Sequence, residues 1–402
     1  MNQQAAADPI VNVGARRTPI GAFQGQFQAL SATALGGSAI AGALAQAGLA
    51  GSADIDEVLM GCCLMAGLGQ APARQAALAA GLPHSVGATT LSKMCGSGMK
   101  TVMLAHDQLR AGVAEVLVAG GMESMSNAPY LLPKARSGQR LGHGQMIDHM
   151  FKDGLEDHYS AATNGRLMGT FAEECARHYG FSREAQDEYA CTSTLRAQAA
   201  QREGHFEWEV APVTVRSRQA STVVAHDEQP LKANLDKIAS LPPAFAKDGT
   251  VTAANASSIS DGAAALLLMR ASTAARLGHQ PLAVIHAHAT HAQEPAWFTT
   301  APVGAIHKVL DKTGWRATDV ELWEVNEAFA VVTMAAMQEL HLPHERVNVN
   351  GGACALGHPI GASGARILVT LLGALRQRGL RRGVASLCIG GGEATAMAIE
   401  VI

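Results

Sequence analysis

Two stretches in opposite halves of the chain follow one pattern. Ala53-Asp54-Ile55-Asp56-Glu57-Val58-Leu59-Met60-Gly61 resembles Ala317-Thr318-Asp319-Val320-Glu321-Leu322-Trp323-Glu324-Val325. Gly96-Ser97-Gly98-Met99-Lys100 resembles Ala362-Ser363-Gly364-Ala365-Arg366. Each of the latter pair opens a helical pattern, and each helix leads to a strand ending in glycines, Gly120-Gly121 and Gly390-Gly391-Gly392. Such self-similarity predicts two copies of one frame. Unrelated βα units sharing generic patterning are the alternative.

Helical and extended patterns alternate, which predicts an α/β fold. The first half reads as helix Ser31–Ala47, strand Val58–Gly61, helix Ala71–Ala80, strand Ala88–Leu91, helix Met99–Ala111 and strand Glu115–Ala119. In the second half the closing strand, Ala394–Val401, follows the glycines at once. Its first-half counterpart is Ala263–Met269, so Met122 to Ser260 reads as an insertion rich in Pro, His and charge. The chain then divides into an N-terminal half (1–121 and 261–280), an inserted domain (122–260) and a C-terminal half (281–402).

Composition narrows the partners. The 31 basic and 34 acidic residues leave a net charge of −3, with no basic block to hold nucleic acid. Charged residues are 16% of the chain, against a usual ~25%. So few charges point to surface buried between subunits, hence a homo-oligomer. The longest near-continuous apolar stretch, Phe329–Met337, is about half the ~20 residues of a membrane span. Met1–Pro9 is polar and alanine-rich without a signal pattern, and Glu400-Val401-Ile402 is no address tripeptide. The expectation is a cytoplasmic protein. Seven scattered cysteines make no disulfide framework and no zinc spacing.

Four sites could carry chemistry. Cys95 lies between an apolar strand and a helix start, where N–H groups and the helix dipole favour a thiolate. A buried structural cysteine is the alternative. His358 stands in the glycine-rich turn Gly357–Gly364 before a helix, suited to a base near neutral pH. Cys388-Ile389-Gly390-Gly391-Gly392 closes a strand with exposed N–H groups that could hold an oxyanion. Asn326 ends the Glu321–Val325 strand, where open parallel sheets gather their sites, or it caps the next helix. Cys62, Cys63, Cys175 and Cys191 read as structural, and Cys354 is undecided, four residues before His358.

Together these motifs resemble the thiolases over nearly the whole length, from Ala15-Arg16-Arg17-Thr18-Pro19-Ile20-Gly21 onward. The nucleophile segment Lys93–Gly98, the turn Gly120–Ser126, the segment Gly249–Ser257 and the Asn326, His358 and Cys388 motifs stand in family order. The resemblance implies an α/β, thiolase-like five-layer αβαβα fold, with two pseudo-repeated halves and an inserted loop domain. It implies ping-pong condensation of two acetyl-CoA to acetoacetyl-CoA and CoA. Cys95 would carry the acyl group, His358 would take its proton, and Cys388 would remove an α-proton. His358 with a water on Asn326 would form one oxyanion hole. The N–H groups of Cys95 and Gly390 would form the other.

For coenzyme A the resemblance points to Ser257, Leu155, Met168, Phe245 and Lys232, with Phe298 limiting acyl length. No cofactor is required. Some relatives bind potassium, and Tyr189, Ala253, Ala254, Ala256 and Cys354 stand at those positions. A tetramer built as a dimer of dimers is implied, or a dimer. Three departures stand out: Leu167 where many relatives have His, Ser92 where many have Asn, and Glu393 where a small or apolar residue is usual. The runner-up is a longer-chain 3-ketoacyl-CoA thiolase of β-oxidation. A ketoacyl-synthase type enzyme lacks the second cysteine, and a non-catalytic relative would not keep all four side chains.

Overall fold

The computed structural model describes residues 8–216 and 220–402. Met1–Ala7, part of the polar N-terminal stretch, lie outside the described residues. The first half runs β1 (Ile10–Arg17), α1 (Ala32–Gln46), β2 (Glu57–Gly61), α2 (Pro72–Ala79), β3 (Gly87–Leu91), α3 (Ser97–Arg110) and β4 (Val116–Ser124). Helices α4 (Met168–Tyr179) and α5 (Arg183–Arg202) follow, then β5 (Ser260–Arg270). The second half runs β6 (Ala283–Ala292), α6 (Ala301–Thr313), β7 (Leu322–Val325), α7 (Ala330–Leu340), α8 (Ile360–Arg378), β8 (Arg382–Ile389) and β9 (Glu393–Val401).

The strands order as β7-β8-β9-β6-β1-β5-β4-β2-β3. Within each half the inner pairs match. β2 runs parallel to β3 and β4 while β4 and β5 are antiparallel. β7 runs parallel to β8 while β8 and β9 are antiparallel. The counterpart of β3 in the second half is reduced to one bridge, Trp323 with Val347. The halves join at β1 and β6 through only Val11↔Val284 and Asn12↔Ala283.

Burial explains the layers. α1 and α2 pack Leu35, Ala39, Ile40 and Ala76 against Val58, Val118 and Leu267 on one face of the first-half sheet. α3 and α8 lie together between the sheets, joining Val102, Leu368 and Leu372 to Leu117, Leu266, Leu387 and Met397. α6 and α7 cover the outer face of the second sheet through Ile306, Val309, Ala336 and Trp323. The sequence of layers is therefore helix, sheet, helix, sheet, helix.

The repeated glycines have a steric cause. A Cβ on Gly98 would stand 2.8 Å from the Ala365 nitrogen, and one on Gly364 would strike the Met99 nitrogen. The two central helices thus touch backbone to backbone at equivalent positions. One expectation is corrected: β4 does not end at Gly120-Gly121 but runs on to Ser124. Those glycines let neighbouring backbone in, since side chains there would strike the Ala264 and Gly361 carbonyls. The β4–β5 connection is the long one through α4 and α5. The β8–β9 connection is only the turn Gly390–Gly392, with φ of 96° at Gly391 and 81° at Gly392.

Candidate active site

Cys95 stands on a constrained turn between β3 and α3. Met94 takes φ 46°, a left-handed conformation that a bulky side chain adopts only under constraint. The constraint is Ser97, whose Oγ accepts from the Lys93 N–H at 2.8 Å and donates to the Met94 carbonyl at 2.6 Å. The Cys63 thiol reaches the same carbonyl at 3.2 Å. Cys62-Cys63 is in turn fixed by Glu123, a fully buried carboxylate. It accepts from the N–H groups of Cys63, Leu64 and Gly361. Glu123 therefore ties the turn after β2 to the start of α8.

Burial pushes the Cys95 thiol up to about 11, opposed by the N–H of Gly390 and its own N–H. This reverses the expectation of a thiolate favoured by the helix start. Desolvation of the charged form outweighs two backbone donors, so Cys95 rests as a thiol and requires a base. Cys388, at the end of β8, is buried and raised further, by burial and by its neighbour Cys95.

The base is supplied by the turn before α8. His358 is buried, and its Nδ1 lies 2.6 Å from Ser363 Oγ. That hydroxyl donates to the Pro359 carbonyl at 2.9 Å. It therefore accepts from the imidazole, which places the proton on Nδ1. Among the described residues Nε2 has no partner, and it keeps a free lone pair. Burial, with Arg366 nearby, lowers the His358 pKa to about 3, so the ring is neutral at physiological pH. Asn326 does not cap α7, whose N-cap is Phe329. Its Oδ1 accepts from Arg366 at 3.1 Å; its amide nitrogen is 3.4 Å from His358 Nδ1, which in this tautomer donates to Ser363 and cannot accept from it.

Cys95, His358, Cys388 and Gly390 line one cavity of about 380 Å³. Ser257, Leu155, Met168, Phe245 and Phe298 line it as well, as does Leu167. Ser257 Oγ donates to the Ala328 carbonyl at 2.9 Å, fixing that wall. Asn326 stands behind His358 and is not part of the lining. Lys232 is not brought there: it is exposed and pairs with Glu228 one helical turn away. A second cavity, of about 410 Å³ beside Arg16, Phe206 and His226, holds none of these residues. Sequence reading missed Tyr159, whose hydroxyl donates to the Gly390 carbonyl at 3.2 Å. It also missed Glu123 and the role of Ser363. Ser363 carried a signal in its place in the repeated segment, and Glu123 in its place in the turn Gly120–Ser126.

The positions at which relatives bind potassium surround a buried carboxylate. Glu327 accepts from Tyr189 Oη at 2.9 Å, Ser193 Oγ at 2.7 Å, Asn348 at 2.8 Å and the Cys354 N–H at 3.0 Å. Ala253, Ala254 and Ala256 lie on the adjoining turn, where Asn255 meets the Cys354 sulfur. The Tyr189 hydroxyl donates to Glu327 and accepts from Asn348, and no step is routed through a cation there. Elsewhere His106, Asp107 and His288 cluster, but both imidazoles meet the Asp107 carboxylate, with Arg110 and Lys312 nearby.

Comparison with known proteins agrees with this geometry. The thiolase N-terminal domain matches residues 10–272 and the thiolase C-terminal domain residues 279–401. The chain is 50% identical to acetyl-CoA acetyltransferase 2 of Arabidopsis thaliana, over 97% of this chain and 96% of that one. It is 47% identical to the acetyl-CoA acetyltransferase of Allochromatium vinosum, over 97% and 98%. The crystal structure of the Bacillus anthracis acetyl-CoA acetyltransferase superposes with a TM-score of 0.95 at 41% identity, covering 99% of this chain and 100% of that one. Full-length matches to both domains and to whole relatives place this chain in the thiolase family.

Proposed function

We propose that the protein is an acetyl-CoA C-acetyltransferase that interconverts two acetyl-CoA with acetoacetyl-CoA and CoA. The observation that carries this is the single cavity shared by two thiols, a neutral imidazole with free Nε2, and the Gly390 N–H. The similarity to acetyl-CoA acetyltransferases supports the choice of acyl group.

The chain's own groups account for each proton. His358 Nε2 takes the Cys95 proton as Sγ attacks the acetyl carbonyl. The N–H groups of Cys95 and Gly390 hold the oxyanion, each such donor supplying a few kcal/mol. The tetrahedral intermediate expels CoA thiolate, which takes the Cys388 proton. A Cys388 thiolate then faces the His358 imidazolium. Cys388 removes an α-proton from a second acetyl-CoA, while His358 and a water on Asn326 stabilise the enolate. The carbanion attacks the acetyl-cysteine, Cys95 leaves, and His358 returns its proton. Two cysteines are required because one is acylated while the other acts as base.

Phe298 is buried and stacks edge to face on Phe171, giving the cavity a rigid wall that favours short acyl chains. CoA-dependent loss of acetoacetyl-CoA, beside longer 3-ketoacyl-CoAs, tests the reading. Fastest loss of acetoacetyl-CoA is expected. Faster loss of long chains selects the β-oxidation thiolase and overturns the role of Phe298. The proposal includes a homo-oligomer joined through β3, whose outer edge at the end of the sheet is unpaired among the described residues. It includes a dimer of dimers as the full assembly, checked by light scattering. No helix of the described residues is long and apolar enough to cross a membrane. A cytoplasmic site of action belongs to the same proposal, tested by fractionation.

A further inference from the structure

Lys93 and Glu393 lie 300 residues apart and form an ion pair beside the cavity. Their places in the chain are specific. Lys93 opens the turn that carries Cys95, and Glu393 is the first residue after the glycine turn that carries Gly390. Each turn departs from regular backbone. Met94 is held in a left-handed conformation, and Gly390–Gly392 have no side chains, two of them at positive φ. The glycine turn is closed by the Ile389–Glu393 pair of β8 and β9 and tethered by the Tyr159 hydroxyl on Gly390 and by the Gln293 N–H on the Gly392 carbonyl. Toward the Cys95 turn, Ile389 packs on Gly96, an apolar contact to which the ion pair adds a directional one. The Gly390 N–H reaches Cys95 Sγ only while the two turns keep their spacing.

We propose that Lys93 and Glu393 are positioning residues whose ion pair clamps the nucleophile turn to the glycine turn, and so sets Cys95 against Gly390 and Cys388. Both side chains are partly exposed, 22% and 33%, and such pairs add only about 0–1 kcal/mol to stability. Their effect therefore falls on alignment rather than on folding. A shift of about 1 Å in reacting groups costs up to a hundredfold in rate. The pair leaves the thioester-binding wall of Phe245, Ser257 and Met168 untouched, so binding of CoA esters is preserved.

The inference rests on the proposed roles of Cys95 and Gly390, and its test separates the two. Glu393→Gln and Lys93→Met are each expected to lower kcat about tenfold, with KM within about twofold. The double variant is expected to be no slower than the slower single one. The swapped pair Lys93→Glu with Glu393→Lys is expected to recover most of the loss. Unchanged kcat in both single variants, or losses that multiply in the double variant, would overturn the clamp. Should either variant melt early, Lys93→Arg and Glu393→Asp carry the same comparison.

Iodoacetamide alkylation of Cys95, followed by peptide mapping, gives a readout without turnover. Its rate is expected to change more than about threefold in each single variant and to return in the swapped one. If the wild-type chain does not consume acetoacetyl-CoA, the acetyltransferase reading fails, and these rates alone decide the clamp. Equal rates in wild type and variants refute it.

Discussion

The two halves of the molecule share a frame and differ in what they place on it. Each sets a turn before its central helix. In the first half that turn holds Cys95, and in the second it holds His358. Each follows its inner strand with an antiparallel one. The second half makes that step in a three-glycine turn beside Cys388, whereas the first spends α4 and α5 on it. The comparison teaches that duplication supplied the geometry and divergence the chemistry. Backbone contact at Gly98 and Gly364 brings the two equivalent turns close enough for a nucleophile and a base to share one cavity.

The strongest way to break this division of labour is at the cysteines. Cys95→Ser should lower condensation by at least about a thousandfold and abolish the acetyl-enzyme seen by intact mass. Cys388→Ala should lose condensation to a similar degree, at least about a thousandfold, yet still accumulate acetyl on Cys95. A Cys388→Ala variant that condenses normally would show that one half suffices.

The helix contact can be probed next. Gly364→Ala and Gly98→Ala should each destabilise the fold by about 1–3 kcal/mol, read from denaturant melts. Because both act at one contact, their effects should fail to add in the double variant.

The imidazole gives an effect that appears only as pH falls. His358 titrates at about 3 in the folded chain and at about 6.5 unfolded. Between those values the unfolded chain binds a proton that the folded one refuses. Stability therefore falls as pH drops from about 6.5 toward 3, by at most about 1.4 kcal/mol per pH unit from this group. His358→Asn should flatten that part of the curve in parallel melts. The smallest effect is at the start of α1, where Ser31 Oγ accepts from the Ala34 N–H at 3.2 Å. Ser31→Ala should cost about 1 kcal/mol. The equivalent change before α6 has no counterpart, since Thr300 makes no side-chain cap.

Much of this was legible in the chain because it is local or repeated. Periodicity located α1, α2 and α3 to within two residues, and the repeated Gly-x-Gly segments marked where the halves meet. Cys95 and His358 announced themselves by standing before those helices. What sequence order hid is long-range. The extension of β4 past its glycines depends on β5, far along the chain. The Cys95 thiol is protonated because distant segments bury it. Glu393 looked unexplained until Lys93 came to meet it. The exposed pairing of Lys232 with Glu228 was likewise not legible from their order alone.

The central layer also bears on how the chain is made. α3 is complete by Arg110, but α8, which covers it, ends at Arg378. A ribosome adding about 5–20 residues per second needs on the order of ten to fifty seconds to cross that gap. For that time Met99, Val102 and Leu109, all buried in the finished molecule, have only the first-half strands against them and lack their α8 partners. The same contact that unites the active site makes the chain's first half wait for its last fifty residues or so.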